Sequence, residues 1–167
     1  IAYFRKRFGD PPLKEIEISP VTGRFGQGFA GMIYLPTRLY LDPSARTEHP
    51  GIAAGEEFMG DLLRAHETAH QWWGNIVTTD SYQHEWLMES LANYSALMFL
   101  ESQMGPHAIE RGLNYYHDLL LLKGADGKIA EERGPVVEGR RLESADAPIA
   151  ADAVLYGKGT WIIHMLR

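Results

Sequence analysis

The segment His66-Glu67-Thr68-Ala69-His70 constrains this chain more than any other, because two imidazoles four residues apart reach one point when a helix carries them. On a helix, positions i and i+4 lie one above the other on the same face. Eighteen residues separate His70 from Glu89, which opens the run Glu89-Ser90-Leu91-Ala92-Asn93-Tyr94. Its carboxylate can arrive from a neighbouring helix. Two neutral nitrogens and one carboxylate form the donor set of a catalytic zinc site, in which a fourth position stays open to water. The ion lowers the pKa of that water towards about 7, and Glu67, one residue beyond a ligand, stands where it can take the proton. An isolated H-E-x-x-H also arises by chance, and solvent-facing histidines are the alternative reading. The flanking runs argue against chance, since Trp72, Trp73 and Gly74 close the first segment and Glu85-Trp86-Leu87-Met88 leads into the second.

A chain of 167 residues is long enough to bury a core without covalent staples. There is no cysteine, so a metal site has to be built from nitrogen and oxygen. The net charge of -6 is spread along the chain without a basic stripe, which argues against nucleic-acid binding. The longest apolar stretches, around residues 92–100 and 119–122, fall well short of the roughly 20 residues of a membrane span. Composition assigns no compartment. The chain starts at Ile1 in what already reads as a helix, so the expectation is a single catalytic domain over residues 1–167, cut from a longer multidomain chain.

Helical spacing is expected over residues 1–8, ended by Gly9, Asp10, Pro11 and Pro12. Alternation of apolar and charged residues over 13–19 predicts a strand, and 32–35 a second one limited by Pro36. The glycine-rich stretch 23–31 reads as a loop, and 37–55 as connecting chain with turns at Asp42-Pro43 and His49-Pro50-Gly51. Phe58, Met59, Leu62, Leu63, Ala65 and Ala69 recur with helical period, so the metal-binding helix is expected over 56–73, stopped by Gly74-Asn75. Residues 76–79 suggest a short extended piece, and further helices are expected over 83–104, 106–123 and from 152 onward. Residues 124–151 show no periodicity, and a connection of that length in a compact domain is functional or disordered.

Three stretches resemble a known family. His66-Glu67-Thr68-Ala69-His70-Gln71-Trp72-Trp73-Gly74-Asn75, the run from Trp86 to Tyr94, and Tyr156-Gly157-Lys158-Gly159 followed by His164-Met165-Leu166 are similar to the gluzincin zinc metallopeptidases of the aminopeptidase N family. The resemblance covers the chain from about Phe8 to Arg167. It implies an α+β fold, a thermolysin-like zincin catalytic domain in which a small β-sheet packs on a mainly helical bundle. It also implies one zinc ion held by His66, His70 and Glu89, with Glu67 as general base. Tyr156, 67 residues after Glu89, corresponds to the family tyrosine that donates a hydrogen bond to the tetrahedral intermediate. The implied partners are a peptide or protein substrate and flanking domains.

The chain also departs from that family. Aligned on the strand at residues 31–35, Gly28 stands where the family carries the glutamate that pairs with the substrate's free amino terminus. A buried ammonium without an opposing carboxylate loses several kcal/mol of compensation. Glu57, Glu85 and Gln27 are possible substitutes. Residues Gly28, Phe29, Ala30 and Gly31 remain the expected substrate-binding stretch, because an extended peptide commonly adds to a sheet edge, and Phe29 and Met32 are candidate cleft residues. Asn93, one turn beyond Glu89, is a candidate partner for a zinc-bound histidine. Trp72 and Trp73 read as core or cleft-wall residues, and His49, His84, His107, His117 and His164 as histidines without a metal. Three functional readings follow. They are a zinc-dependent aminopeptidase, a zinc endopeptidase or peptidase that does not require a free amino terminus, and a non-catalytic module that keeps zinc as structure.

Overall fold

In the computed structural model, which describes residues 1–42 and 50–167, the chain divides into two compact units, Ile1–Ile76 and Val77–Arg167. Of the two turns expected at Asp42-Pro43 and His49-Pro50-Gly51, Pro43 and His49 lie outside the described residues, and Pro50 and Gly51 open a helix instead. No described helix is long and apolar enough to cross a membrane.

The first unit combines helix α1 (Ala2–Phe8), strands β1 (Glu17–Val21), β2 (Gln27–Phe29) and β3 (Met32–Pro36), and the long helix α2 (Pro50–Ala69). The three strands form one sheet in the order β1-β3-β2, with β1 parallel and β2 antiparallel to β3. β1 starts four residues later than the alternating pattern suggests and includes Pro20, which an edge strand tolerates because it needs no amide donor on its open side. β2 replaces the expected loop. It pairs Gln27 with Tyr34, Gly28 with Ile33 and Phe29 with Met32, closing a hairpin through Ala30 and Gly31.

One face of the sheet meets α2. Ile33, Leu35 and Leu39 form a buried cluster completed by Ile16 and Leu63. At the other end of α2, Phe4 and Phe8 of α1 make ring contacts with Trp72, whose indole N–H donates to the Gly9 carbonyl at 3.1 Å. Trp72 is thus a core residue, anchoring α1 beside the chain that leaves α2.

α2 begins six residues earlier than the periodicity suggests and stops before Trp72 and Trp73. Its last turn tightens, with Gln71 N–H bonded to the Thr68 carbonyl at 3.1 Å and Trp72 N–H to that of Ala69 at 3.0 Å. His70 keeps the helical bond to the His66 carbonyl at 3.2 Å, so the histidine pair retains its i, i+4 spacing at the very end of the helix.

The second unit is helical. α3 (Glu85–Met104) and α4 (His107–Leu121) pack against a C-terminal helix built from α5 (Ala150–Asp152), a π-helical stretch (Ala153–Lys158) and α6 (Gly159–Met165). The chain between α4 and α5 is ordered into short 3₁₀ turns at Ala130–Arg133 and Val136–Leu142. Between the helices lies a buried polar chain in which Tyr116 O–H donates to Asn93 Oδ1 at 2.9 Å and Asn93 Nδ2 donates to Thr160 Oγ1 at 2.8 Å. Burial raises the Tyr116 phenol pKa, so this hydroxyl stays a donor at any ordinary pH.

α3 and α6 approach closely at Gly159. A Cβ there would stand 3.2 Å from Ser90 Cβ and closer still to its hydroxyl, which is itself bonded to the Trp86 carbonyl. Alanine favours a helix over glycine by about 1 kcal/mol, whereas overpacking costs about 1–3 kcal/mol. The steric effect outweighs propensity because Ser90 is fully buried. Gly159→Ala is therefore expected to destabilise the fold by about 1–2 kcal/mol, read as a lower urea midpoint at unchanged slope.

Candidate metal centre

In the first unit His66, Glu67 and His70 are all buried, and one ligand atom from each lies within 4.8 Å of the others. The imidazoles meet nearly perpendicular, with their Nε2 atoms 3.0 Å apart. Two nitrogens bound tetrahedrally at about 2.0–2.1 Å from a zinc ion would stand about 3.3 Å from each other, so the pair is already close to ligand spacing. His70 Nδ1 lies 2.7 Å from the Trp73 carbonyl, which can only accept. The ring proton therefore sits on Nδ1, and Nε2 presents its lone pair to the centre. A nitrogen and oxygen donor set of this kind fits zinc among the first-row metals. The Glu67 carboxylate suits a third donor or a base beside the ion.

What holds this end of α2 in place is the hairpin. Asn75 Nδ2 donates to the His70 carbonyl at 2.6 Å and to the Gly28 carbonyl at 3.2 Å. The Gln71 amide donates to the Phe29 carbonyl at 2.8 Å and accepts from Gly31 N–H at 2.9 Å. Between these bonds the two backbones touch with nothing separating them. A Cβ on Gly28 would run into the Glu67 carbonyl and stand 2.8 Å from His70 Cβ, and one on Gly26 would stand 2.6 Å from the Glu67 carboxylate. The sequence points to Gly28 through a family alignment, whereas Gln71 and Asn75 figure there only as motif residues and a helix stop, without a role in holding the hairpin. Their signal was available, since two amide side chains four residues apart at a helix end can clasp an adjacent strand.

The expected substrate-binding residues share this hairpin. Gly28 is buried against α2, Phe29 is exposed and touches Tyr34 edge-on, and Ala30 and Gly31 make the turn. Glu57 and Gln27, considered as replacements for the missing anchor, are both exposed.

In the second unit Glu89 is half-buried on α3, and Tyr156 occupies the π-helical stretch. Such turns are rare and concentrate at functional sites. Burial first, then the Glu89 charge, raises the Tyr156 pKa, so the phenol remains protonated across the physiological range. Arg140 donates to Tyr156 Oη at 3.2 Å. Burial disfavours the Arg140 charge, but Tyr156, Glu85 and Asp152 outweigh it and hold the guanidinium above its ordinary value. Burial raises the Asp152 carboxyl despite Arg140 beside it. Neither Arg140 nor Asp152 was singled out from sequence, because they lie in or next to the aperiodic connection. Asn93, a candidate histidine partner, gives its carbonyl to Tyr116 and an amide proton to Thr160. His164 is bonded to Tyr94 at 2.9 Å.

Comparison with known proteins follows the same residues. The model of the peptidase family M1 domain matches residues 32–167. Aminopeptidase N of Lactococcus lactis subsp. lactis is 30% identical over 110 residues, which are 64% of this chain and 12% of that protein. Aminopeptidase M1 of Arabidopsis thaliana is 28% identical over 166 residues, 99% of this chain and 18% of its own length. Glutamyl aminopeptidase of Sus scrofa is 28% identical over 169 residues, again 99% of this chain and 16% of that protein. The chain thus spans less than a fifth of the length of these curated relatives. No solved structure matches it.

The close contact at Gly28 leads to a direct expectation. Gly28→Ala places a methyl group against a helix carbonyl that cannot swing aside, so it should cost about 1–3 kcal/mol and displace His70. Thermal unfolding and elemental analysis should show a lower melting temperature and a reduced zinc content. Unchanged values for both would mean that the hairpin is free to shift.

Proposed function

The chain belongs to peptidase family M1, and from that premise we propose that it is the catalytic part of a zinc-dependent peptidase of the aminopeptidase type. The observation that carries this reading is the buried His66, Glu67 and His70 cluster, with His70 Nε2 directed inward by the Trp73 carbonyl. His66 and His70 would hold one zinc ion, with Glu89 of α3 as the third ligand on the strength of its sequence context. When bound, zinc supplies Lewis acidity towards a carbonyl and lowers the pKa of water.

Glu67 takes the proton from the attacking water and delivers it to the leaving amine nitrogen, since a carboxylate at this position can act first as base and then as acid. Tyr156 donates a hydrogen bond from its phenol to the oxyanion that develops on the substrate. That interaction strengthens along the reaction coordinate, and so it raises kcat rather than merely tightening binding. The exposed Phe29 and the β2 backbone would receive an extended peptide. We read residues 1–167 as one catalytic domain within a longer polypeptide, a reading that the greater length of the relatives supports.

A second reading concerns specificity, and the packing at Gly28 favours it. With no room for a Cβ at that position, no carboxylate can project from it to pair with a substrate ammonium. The enzyme would then accept peptides with blocked amino termini. Comparing kcat/KM for a peptide and its N-acetylated form tests this. Similar values are expected, and a strong preference for the free amine would refute it.

For the mechanism, Glu67→Gln keeps the shape but removes the base. Peptide hydrolysis should fall by about two to four orders of magnitude while zinc content stays the same. Retained turnover would remove Glu67 from the chemistry, and lost zinc would make it a ligand instead.

A further inference from the structure

The residue left without a role by this reading is Arg140. It stands in the aperiodic connection between α4 and α5, and the local backbone is arranged to present it. Gly139, at φ 52°, breaks the segment Val136–Leu142 immediately before Arg140, a conformation that a residue with a side chain rarely adopts. The guanidinium of the next residue, Arg141, lies 4.4 Å over the ring of Tyr82, which fastens the segment ahead of α3. Arg140 itself reaches three oxygen-bearing groups. It donates to Tyr156 Oη at 3.2 Å, and its Nε and Nη1 stand 3.8 Å from Glu85 and 3.7 Å from Asp152. Both carboxylate approaches are long and partly exposed, so they add little to stability. They place a carboxylate near Nε and another near Nη1, which favours the orientation in which Nη2 faces Tyr156.

A guanidinium carries five N–H donors and no acceptor. At the contact between Arg140 and Tyr156 the phenol oxygen must therefore be the acceptor. The phenol's own proton is directed to some other acceptor, and a hydrogen bond received from a cation draws density from the oxygen and makes its O–H a stronger donor. The bond also excludes the orientation in which the hydroxyl would point at Arg140. We propose that Arg140 is a positioning residue that aligns and polarises the Tyr156 hydroxyl as donor to the developing oxyanion, an inference that rests on the proposed role of Tyr156.

A double-mutant cycle on the zinc-loaded protein tests this. Arg140→Met should lower kcat about tenfold, part of the 10²–10³ that a lost oxyanion donor costs, with KM and zinc content unchanged. Arg140→Lys, which keeps a cationic donor, should recover most of the loss. Affinity for a phosphinic peptide, whose tetrahedral oxygen imitates the oxyanion, should fall in parallel with kcat/KM. In a Tyr156→Phe background Arg140→Met should have no further effect. An equal loss in that background would overturn the proposal, as would a raised KM at constant kcat, which would make Arg140 a substrate-binding residue. A slow Tyr156→Phe variant beside an unaffected Arg140→Met would overturn the role of Arg140 alone. If Tyr156→Phe leaves kcat unchanged, the oxyanion role of Tyr156 falls and that of Arg140 falls with it.

Discussion

The contact of bare backbone between β2 and the last turn of α2 is the constraint on which the candidate metal centre depends. Gly26 and Gly28 leave no side chain between strand and helix, so the hairpin lies directly against Glu67 and His70. Asn75 and Gln71 then lock that approach with four hydrogen bonds to the hairpin and to the His70 carbonyl. A helix terminus ordinarily frays, because its last carbonyls have no partner in the helix. Here the terminus carries His70, and its precision comes from tertiary hydrogen bonds rather than from helix propensity.

The second unit solves a similar problem by other means. Its helices are joined by a buried chain through Tyr116, Asn93 and Thr160, and each polar group is satisfied within the core. Such a network fixes the relative rotation of α3, α4 and α6, since a slip of any one would leave a buried donor or acceptor without a partner. The π-helical stretch widens the C-terminal helix at Tyr156 and brings the phenol beside Arg140. Close packing at Gly159 sets how near this stretch comes to α3.

Much of this was legible in the sequence where one element controls the outcome. The helix bearing the histidines, α3 and α4 follow from periodicity, with boundaries displaced by a few residues. The Trp72 environment also accords with its reading as a core residue. The strand β2 was hidden, because glycine has low strand propensity and its value there is the close approach it permits. The connection 124–151 was equally opaque. Its short turns have no period, and their order comes from contacts with distant side chains such as Tyr82 and Glu85.

By itself the sequence determined which side chains can share a helical face, and hence that His66 and His70 converge, because four residues make one turn of any α-helix. It also determined the kind of chemistry available, through the identity of the donors and the absence of cysteine. Tertiary structure alone decided which nitrogen of His70 faces the centre, through the carbonyl of Trp73. It decided too that position 28 has no room for a side chain and that a guanidinium meets Tyr156. The last two are matters of distance between residues far apart in the chain, and the first depends on how the backbone turns after the helix ends, which no periodicity encodes.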